Sequence, residues 1–259
     1  MERLPEEVEL QVFAVCDVGN VRPRNEDIIV VDGALIRNDS YSTRVRPVEH
    51  GGGLLFGVAD GVGGSVAGDE ASEHVAQKLS AAAQALPETL KDATVKSTLE
   101  KEASTINTSL FDWGRRDPDH AGMATTFAGV LVYEGRLWHI NAGDSRVYRI
   151  ERGGLAQLSR DHSLRELTGN AAIPSNIIAN CFGAESEFFI DIVRVSDSMS
   201  KGDGFLICSD GLSDLVVDEE LEEVLSAGES LHAAGSGLVE RAKEYGGRDN
   251  ISVLLVAVQ

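Results

Sequence analysis

The chain has 259 residues, 42% hydrophobic and 5% aromatic, enough for a sizeable core built mainly of Val, Leu, Ile and Ala. Its formal net charge of −19 argues against nucleic acid, which needs clustered Lys and Arg to meet the phosphates, and against docking on anionic lipid. An acid excess aids solubility, and it also suits a site whose carboxylates are partly neutralised by divalent ions.

Cys16, Cys181 and Cys208 match no zinc spacing and read as buried, reduced thiols of a reducing compartment. The first nine residues have neither the basic nor the apolar segment of a secretory leader. No apolar run approaches the roughly 18 residues that span a bilayer. The expectation is a soluble, cytoplasmic, monomeric protein.

In chain order, residues 9–16, 28–31 and 54–59 read as strands from their apolar and β-branched content. Residues 37–53 are polar, end in three glycines and read as a surface excursion. Helical periodicity runs from 66 to 86, with Ala71, Val75, Leu79 and Ala82 on one stripe and Pro87 as the stop. A second amphipathic stretch runs from 87 to about Trp113, turning Leu90, Val95, Leu99, Ile106 and Leu110 inward. Strands return at 125–133, 136–141, 145–150 and 155–158, with turns at 134–135 and 153–154, and again at 188–195 and 205–208. Two helices near 218–226 and 229–244 precede a last strand, 251–258. Without βαβ alternation, the short strands and tight turns imply antiparallel sheets: an α+β fold, a β-sandwich covered by helices. No linker or repeat interrupts it, so a single domain over 1–259 is expected.

The chemical signal lies in acidic residues at strand ends beside Gly or Asn: R-P-R-N-E-D (22–27), A-D-G-V-G-G (59–64), A-G-D-S-R (142–146), C-S-D-G (208–211) and R-D-N-I-S (248–252). An apolar strand holds the backbone, and the first residue beyond it projects a carboxylate at the sheet edge. Converging carboxylates repel unless a cation lies between them. Oxygen-only ligation selects Mg²⁺ or Mn²⁺ over zinc, and two ions roughly 3.5–4 Å apart clamp a phosphoryl group and activate water. One Asp-Gly alone is an ordinary turn; five such elements in this order are not.

These five elements, with G-M-A-T-T-F-A-G-V at 122–130, D-H-S at 161–163 and S-D-G-L-S-D at 209–214, resemble the PPM-type (protein phosphatase 2C) metal-dependent phosphatases of bacterial type. The resemblance runs from about Phe13 to the end of the chain. It implies a four-layer α-β-β-α architecture with a central antiparallel β-sandwich. It also implies hydrolysis of phosphoserine and phosphothreonine by in-line attack of a metal-bridging hydroxide. Asp60 would bridge two Mn²⁺ or Mg²⁺ ions, the Gly61 carbonyl would ligate one, and Asp210 and Asp249 would complete the site. Asp27 would act directly or through bound water, with Glu26 supporting it. Asp144, with Asp210, would hold a weaker third ion. Arg22 would bind the phosphate bidentately, and Asn250 would fix the loop presenting Asp249, while Arg24 reads as exposed.

Two features depart from the family pattern. Eukaryotic members carry His where this chain has Val62, so the proton donor to the leaving group is unassigned, with His162 the nearest histidine candidate beside the alternative of a hydrogen-bonded structural histidine. The flap at 164–180 looks short, and it is expected to shape substrate choice through residues such as Asn170 and Ser175. The implied partners are phosphorylated proteins, a cognate Ser/Thr kinase and its targets. Arg37, Arg44 and Arg46 offer a contact to an acidic phosphopeptide, or a solvated loop. Two other readings stay open: a binding module on the same fold, and a phosphohydrolase of another phosphomonoester.

Overall fold

Valine- and leucine-rich runs form β1 (Leu10–Asp17), β2 (Ile28–Val31), β3 (Ala34–Ile36), β4 (Ser40–Val45), β5 (Leu54–Ala59) and β6 (Gly61–Val62) in this computed structural model, which describes residues 4, 7–62, 67–151, 154–195 and 199–259. Helices α1 (Gly68–Gln84) and α2 (Asp92–Arg116) follow, then β7 (Ala124–Thr125), β8 (Phe127–Tyr133), β9 (Arg136–Ala142), β10 (Arg146–Glu151) and β11 (Gly154–Gln157). The chain continues through α3 (Leu164–Thr168), β12 (Asp191–Arg194), β13 (Gly204–Cys208) and α4 (Asp210–Ser213). It closes with α5 (Asp218–Ala227), α6 (Leu231–Glu244) and β14 (Ile251–Val258).

The strands make two six-stranded sheets, β11-β10-β13-β14-β1-β4 and β12-β9-β8-β5-β2-β3, with β6-β7 a small separate pair. Among the described residues every strand pair is antiparallel, for example β1 against β14 from Leu10↔Val258 to Asp17↔Ile251. Alternation along a strand sends successive side chains to opposite faces, and that alone sorts the core into layers. Phe205, Ile207, Leu254 and Val256 meet Ile29, Val58 and Val130 between the sheets. Their neighbours Leu206, Cys208, Val253 and Leu255 face Leu221, Leu238 and Val239 of α5 and α6. On the far side Leu55, Leu131 and Trp138 pack on Val75 and Leu79 of α1 and Val95 and Leu99 of α2. Burying each such aliphatic side chain contributes about 1.5–3 kcal/mol. The result is four layers, α-β-β-α, as expected.

Local chemistry sets the helix ends. Ser230 accepts the Ala233 N–H to cap α6, and Arg241 and Lys243 lie in its last turn. Asp218, Glu219 and Glu220 fill the first turn of α5, where the helix dipole favours negative charge. In α1 the buried stripe is Ala71, Val75, Leu79 and Ala83, while Ala82 is half-buried. The surface excursion expected at 37–53 contains β4, hydrogen-bonded along β1. As a largely exposed edge strand it has no apolar alternation for the sequence to display. The start of the first helix at Val66, Gly63 and Gly64 of the glycine-rich motif, and Gly153 of the 153–154 turn lie outside the described residues.

All three cysteines are free and buried. Among the described residues, no helix is long and apolar enough to cross a membrane.

Candidate active site

Register carries the acidic residues to one end of the sandwich. Ile28 pairs with Ala59, which places Asp27 beside Asp60. Val58 pairs with Ala128 and Phe127 with Ala142, so the turn after β9 brings Asp144 to the same end. In the other sheet Arg146 pairs with Cys208 and Cys208 with Val253, so Asp210 and Asp249 arrive together. Residues far apart in sequence thus meet because each stands within two residues of the end of a buried strand.

Asp27 is fully buried. Its Oδ2 accepts hydrogen bonds from Ser209 Oγ (2.7 Å) and Ser252 Oγ (2.8 Å), while Oδ1 has no hydrogen-bond partner among the described residues. Burial pushes its carboxyl up to about 7, against the two serine hydrogen bonds and with the help of Asp210 and Asp249. Asp60 is held by its backbone: Thr126 Oγ1 lies 3.1 Å from the Asp60 N–H, and the Thr125 hydroxyl donates to the Asp60 carbonyl at 2.8 Å. Burial, then the charges of Asp27, Asp210, Asp144 and Asp249, hold the Asp60 carboxyl well above the usual carboxylate range.

Asp144 sits in the β9–β10 turn, where Gly143 takes φ 124°, a conformation that favours glycine. It is buried with Oδ1 unpartnered among the described residues, and burial followed by Asp210 pushes its carboxyl up to about 8. Asp210 begins α4; burial, Asp214 and Asp249 push it up to about 6. Asp249 is the most open of the five, pairing its Oδ2 with Arg22 Nη2 at 2.5 Å.

The scaffold behind these groups is specific. Glu26 donates its N–H to Asn250 Oδ1 (2.8 Å), and Asn250 Nδ2 donates to the carbonyls of Val18 (3.0 Å) and Arg24 (2.9 Å). Asn250 therefore ties the 18–26 loop to the base of β14, a broader contact set than the expected support of Asp249 alone. Gly61 and Gly68 admit Glu26: a Cβ on Gly61 would lie 2.5 Å from the Gly68 carbonyl oxygen, and one on Gly68 would lie 3.0 Å from the Glu26 carboxyl carbon.

His162 is buried, and both ring nitrogens are engaged. Nδ1 lies 3.3 Å from the Gly143 nitrogen and 2.9 Å from Asn180 Nδ2, while Nε2 lies 3.1 Å from Asp191. With two N–H donors on Nδ1, the neutral ring carries its proton on Nε2 toward Asp191. It braces the Asp144 turn against the flap, and the alternative of a hydrogen-bonded structural histidine fits these contacts. Val62 pairs with Ala124 in the small β6-β7 ladder. Arg37 does not reach outward as a peptide contact would: Nε donates to the Asp27 carbonyl (2.9 Å) and Nη2 to the Asp69 carbonyl (2.8 Å). Arg44 and Arg46 are exposed and pair with Glu9.

Sequence reasoning missed Ser209 and Ser252, although both stand inside quoted motifs; their positions, one residue before Asp210 and two after Asn250, were the available signal. Thr125, Thr126 and the exposed Asp214 were also missed, and Arg37, which the sequence reads as a peptide contact or part of a solvated loop, is a brace in the structure.

The donor set suits a hard divalent ion: oxygen-only ligands, two buried carboxylate oxygens without partners, and carboxyls that push one another toward protonation. Among the described residues, no group of three or more His, Cys, Asp or Glu side chains is already arranged to hold an ion. The fit therefore lies in donor chemistry and mutual repulsion, and ion binding would draw the carboxylates together.

A family model described as Protein phosphatase 2C matches residues 32–252, a segment that holds Asp60, Asp144, Asp210 and Asp249 and begins after Arg22, Glu26 and Asp27. The serine/threonine phosphatase stp of Listeria welshimeri is 32% identical over 172 residues, covering 62% of this chain and 68% of that protein. The serine/threonine protein phosphatase PstP of Mycobacterium tuberculosis is 33% identical over 153 residues, 55% of this chain and 29% of that one. The solved S. agalactiae serine/threonine phosphatase superposes with a TM-score of 0.81 at 25% identity, over 96% of this chain and 100% of that one. The Staphylococcus aureus serine/threonine phosphatase Stp1 gives 0.78 at 26% identity, over 100% and 98%. Sequence, register and fold agree, and the chain belongs to the protein phosphatase 2C family.

Proposed function

We propose that the chain is a metal-dependent protein serine/threonine phosphatase, acting as one catalytic domain over 1–259. The observation that carries this reading is the convergence of five carboxylates beside one partly exposed guanidinium at the end of the sandwich. The relatives at 32% and 33% identity are named a serine/threonine phosphatase and a serine/threonine protein phosphatase, which supports phosphoproteins as the substrate class. The chain would act in the cytoplasm as a monomer, opposing a Ser/Thr kinase on that kinase's targets.

Asp60, Asp210, Asp249 and the Gly61 carbonyl would hold two Mn²⁺ or Mg²⁺ ions, with Asp27 and Glu26 behind them and Asp144 available for a third. Such ions supply Lewis-acid neutralisation of phosphoryl oxygens and make water acidic enough to react near neutral pH. The protein's own part is positioning. Ser209 and Ser252 orient Asp27, Thr125 and Thr126 fix the Asp60 backbone, and Asn250 sets the loop that carries Arg22. The Arg22 fork meets two phosphoryl oxygens at once and stabilises the charge they carry through the displacement. His162 is buried and braced on both nitrogens, so protonation of the leaving oxygen falls to a group other than this ring.

The test is turnover of p-nitrophenyl phosphate and a phosphothreonine peptide with Mn²⁺, then with EDTA. Activity should require the ion, and Asp60→Asn or Asp210→Asn should lower kcat about a hundredfold or more. Wild-type turnover by either variant, or undiminished turnover in EDTA, would sink the assignment.

A further inference from the structure

Asp249 has both carboxylate oxygens engaged. Oδ1 accepts the Asn250 backbone N–H at 2.9 Å, and Oδ2 accepts Arg22 Nη2 at 2.5 Å. Neither side chain of the pair is locked in the core: 45% of Arg22 and 36% of Asp249 is exposed. The backbone around them is another matter. Asn250 ties the loop on both sides of Arg22, at the Val18 and Arg24 carbonyls, and holds Glu26 through its N–H. Arg22 is thus a movable arm on an anchored base, and the anchor is the chain neighbour of Asp249. Glu26 and Asp60 also act on its guanidinium, so the arm lies at the mouth of the carboxylate cluster.

We propose that Arg22 and a divalent ion are alternative counter-charges for Asp249 Oδ2, so that one side chain links ion binding to phosphoryl binding. The proposal rests on the phosphatase reading above and adds a coupling to it. An ion taken up by Asp249 displaces the guanidinium, which then presents its fork to a phosphoryl group. Conversely, a phosphoryl group that captures the fork frees the carboxylate for the ion. Linkage makes the effect reciprocal: each ligand tightens the other by the same factor. Exposed ion pairs are weak, so the coupling is about two- to fivefold.

The test is Mn²⁺ affinity measured by titration calorimetry without substrate. Arg22→Ala should bind Mn²⁺ about two- to fivefold more tightly than wild type, although it removes a residue needed for turnover. Arg24→Ala removes an adjacent positive charge without touching the pair, and should tighten Mn²⁺ binding less. In an Asp249→Asn background, where the pair is already weakened, Arg22→Ala should give no further tightening. Equal tightening by Arg24→Ala, or tightening that persists in the Asp249→Asn background, means through-space charge and overturns the proposal. Unchanged or weaker Mn²⁺ binding by Arg22→Ala overturns it directly. A wild-type protein that binds no Mn²⁺ fails the phosphatase reading itself, a different result from a failed coupling.

Discussion

Asp27 shows how burial and hydrogen bonds set the state of a single carboxylate. Two hydroxyls hold Oδ2 from one side, and burial leaves Oδ1 with no partner. A hydrogen bond to an ionised group is worth about 1.5–3 kcal/mol, and both serines act to lower a carboxyl that burial pushes up to about 7. Removing either hydroxyl therefore raises the Asp27 carboxyl further. Ser209→Ala and Ser252→Ala should each weaken Mn²⁺ binding at pH 7, where the proton then competes with the ion. The deficit should shrink toward pH 9, where Asp27 is ionised in both proteins. A deficit that is the same at pH 7 and pH 9 in calorimetric titrations would show that the serines only support the fold. Each carboxylate of the cluster was legible in the sequence because it stands close to one end of an apolar run, within two residues of Gly or Asn. Their partners were not. A serine in C-S-D-G or N-I-S looks like any turn residue until the register of β13 and β14 carries both hydroxyls to one carboxylate.

At the scale of elements, the first turn of α1 is bolted to the strand that carries the site. Ser72 Oγ donates to the Glu26 carbonyl at 2.6 Å, and Arg37 spans the Asp27 and Asp69 carbonyls. Arg37 is a guanidinium at the end of a short strand in a polar stretch, so the sequence reads it as solvated. Its burial follows from β3 pairing with β2, a contact that no periodicity announces. Strands with buried faces, such as β5 and β14, and the helices α1 and α2 were legible because their patterns are strong. The exposed edge strand β4 was not, because it buries too little to leave a pattern, and the two-residue strands β6 and β7 were not, because they are too short to carry one. The contrast among the arginines is measurable. Arg37→Ala leaves two carbonyls short of a donor and should cost about 2 kcal/mol of stability, with Mn²⁺ affinity falling alongside. Arg44→Ala and Arg46→Ala remove only exposed pairs, with Glu9 and, for Arg46, also with Glu49, each worth about 0.5 kcal/mol or less. Denaturant unfolding of the three variants checks this, and a loss for Arg44→Ala equal to that for Arg37→Ala would refute the brace.

For the whole molecule, a net charge of −19 and a knot of inward-facing carboxylates make stability depend on pH and ions together. Without ions, burial raises Asp210 to about 6, Asp27 to about 7 and Asp144 to about 8. Unfolded, each carboxyl ionises near pH 4. Between pH 4 and 8 the folded chain therefore binds more protons than the unfolded one, so stability falls as pH rises. The favourable contribution is complete below about pH 4 and is lost as pH climbs through those folded values. A divalent ion reverses the balance, because it replaces the protons as counter-charge and binds the ionised site better as pH rises. Ligand binding stabilises by RT ln(1 + [L]/Kd), about 2.7 kcal/mol at a hundredfold excess over Kd. The rise in Tm on adding Mn²⁺ should accordingly be small at pH 5.5 and several degrees at pH 8. EDTA-treated protein should melt lower at pH 8 than at pH 5.5. Thermal scans at the two pH values, with and without Mn²⁺, measure all four states. A Mn²⁺ shift independent of pH, or larger at pH 5.5, would mean that the clustered carboxylates are not where the ion binds.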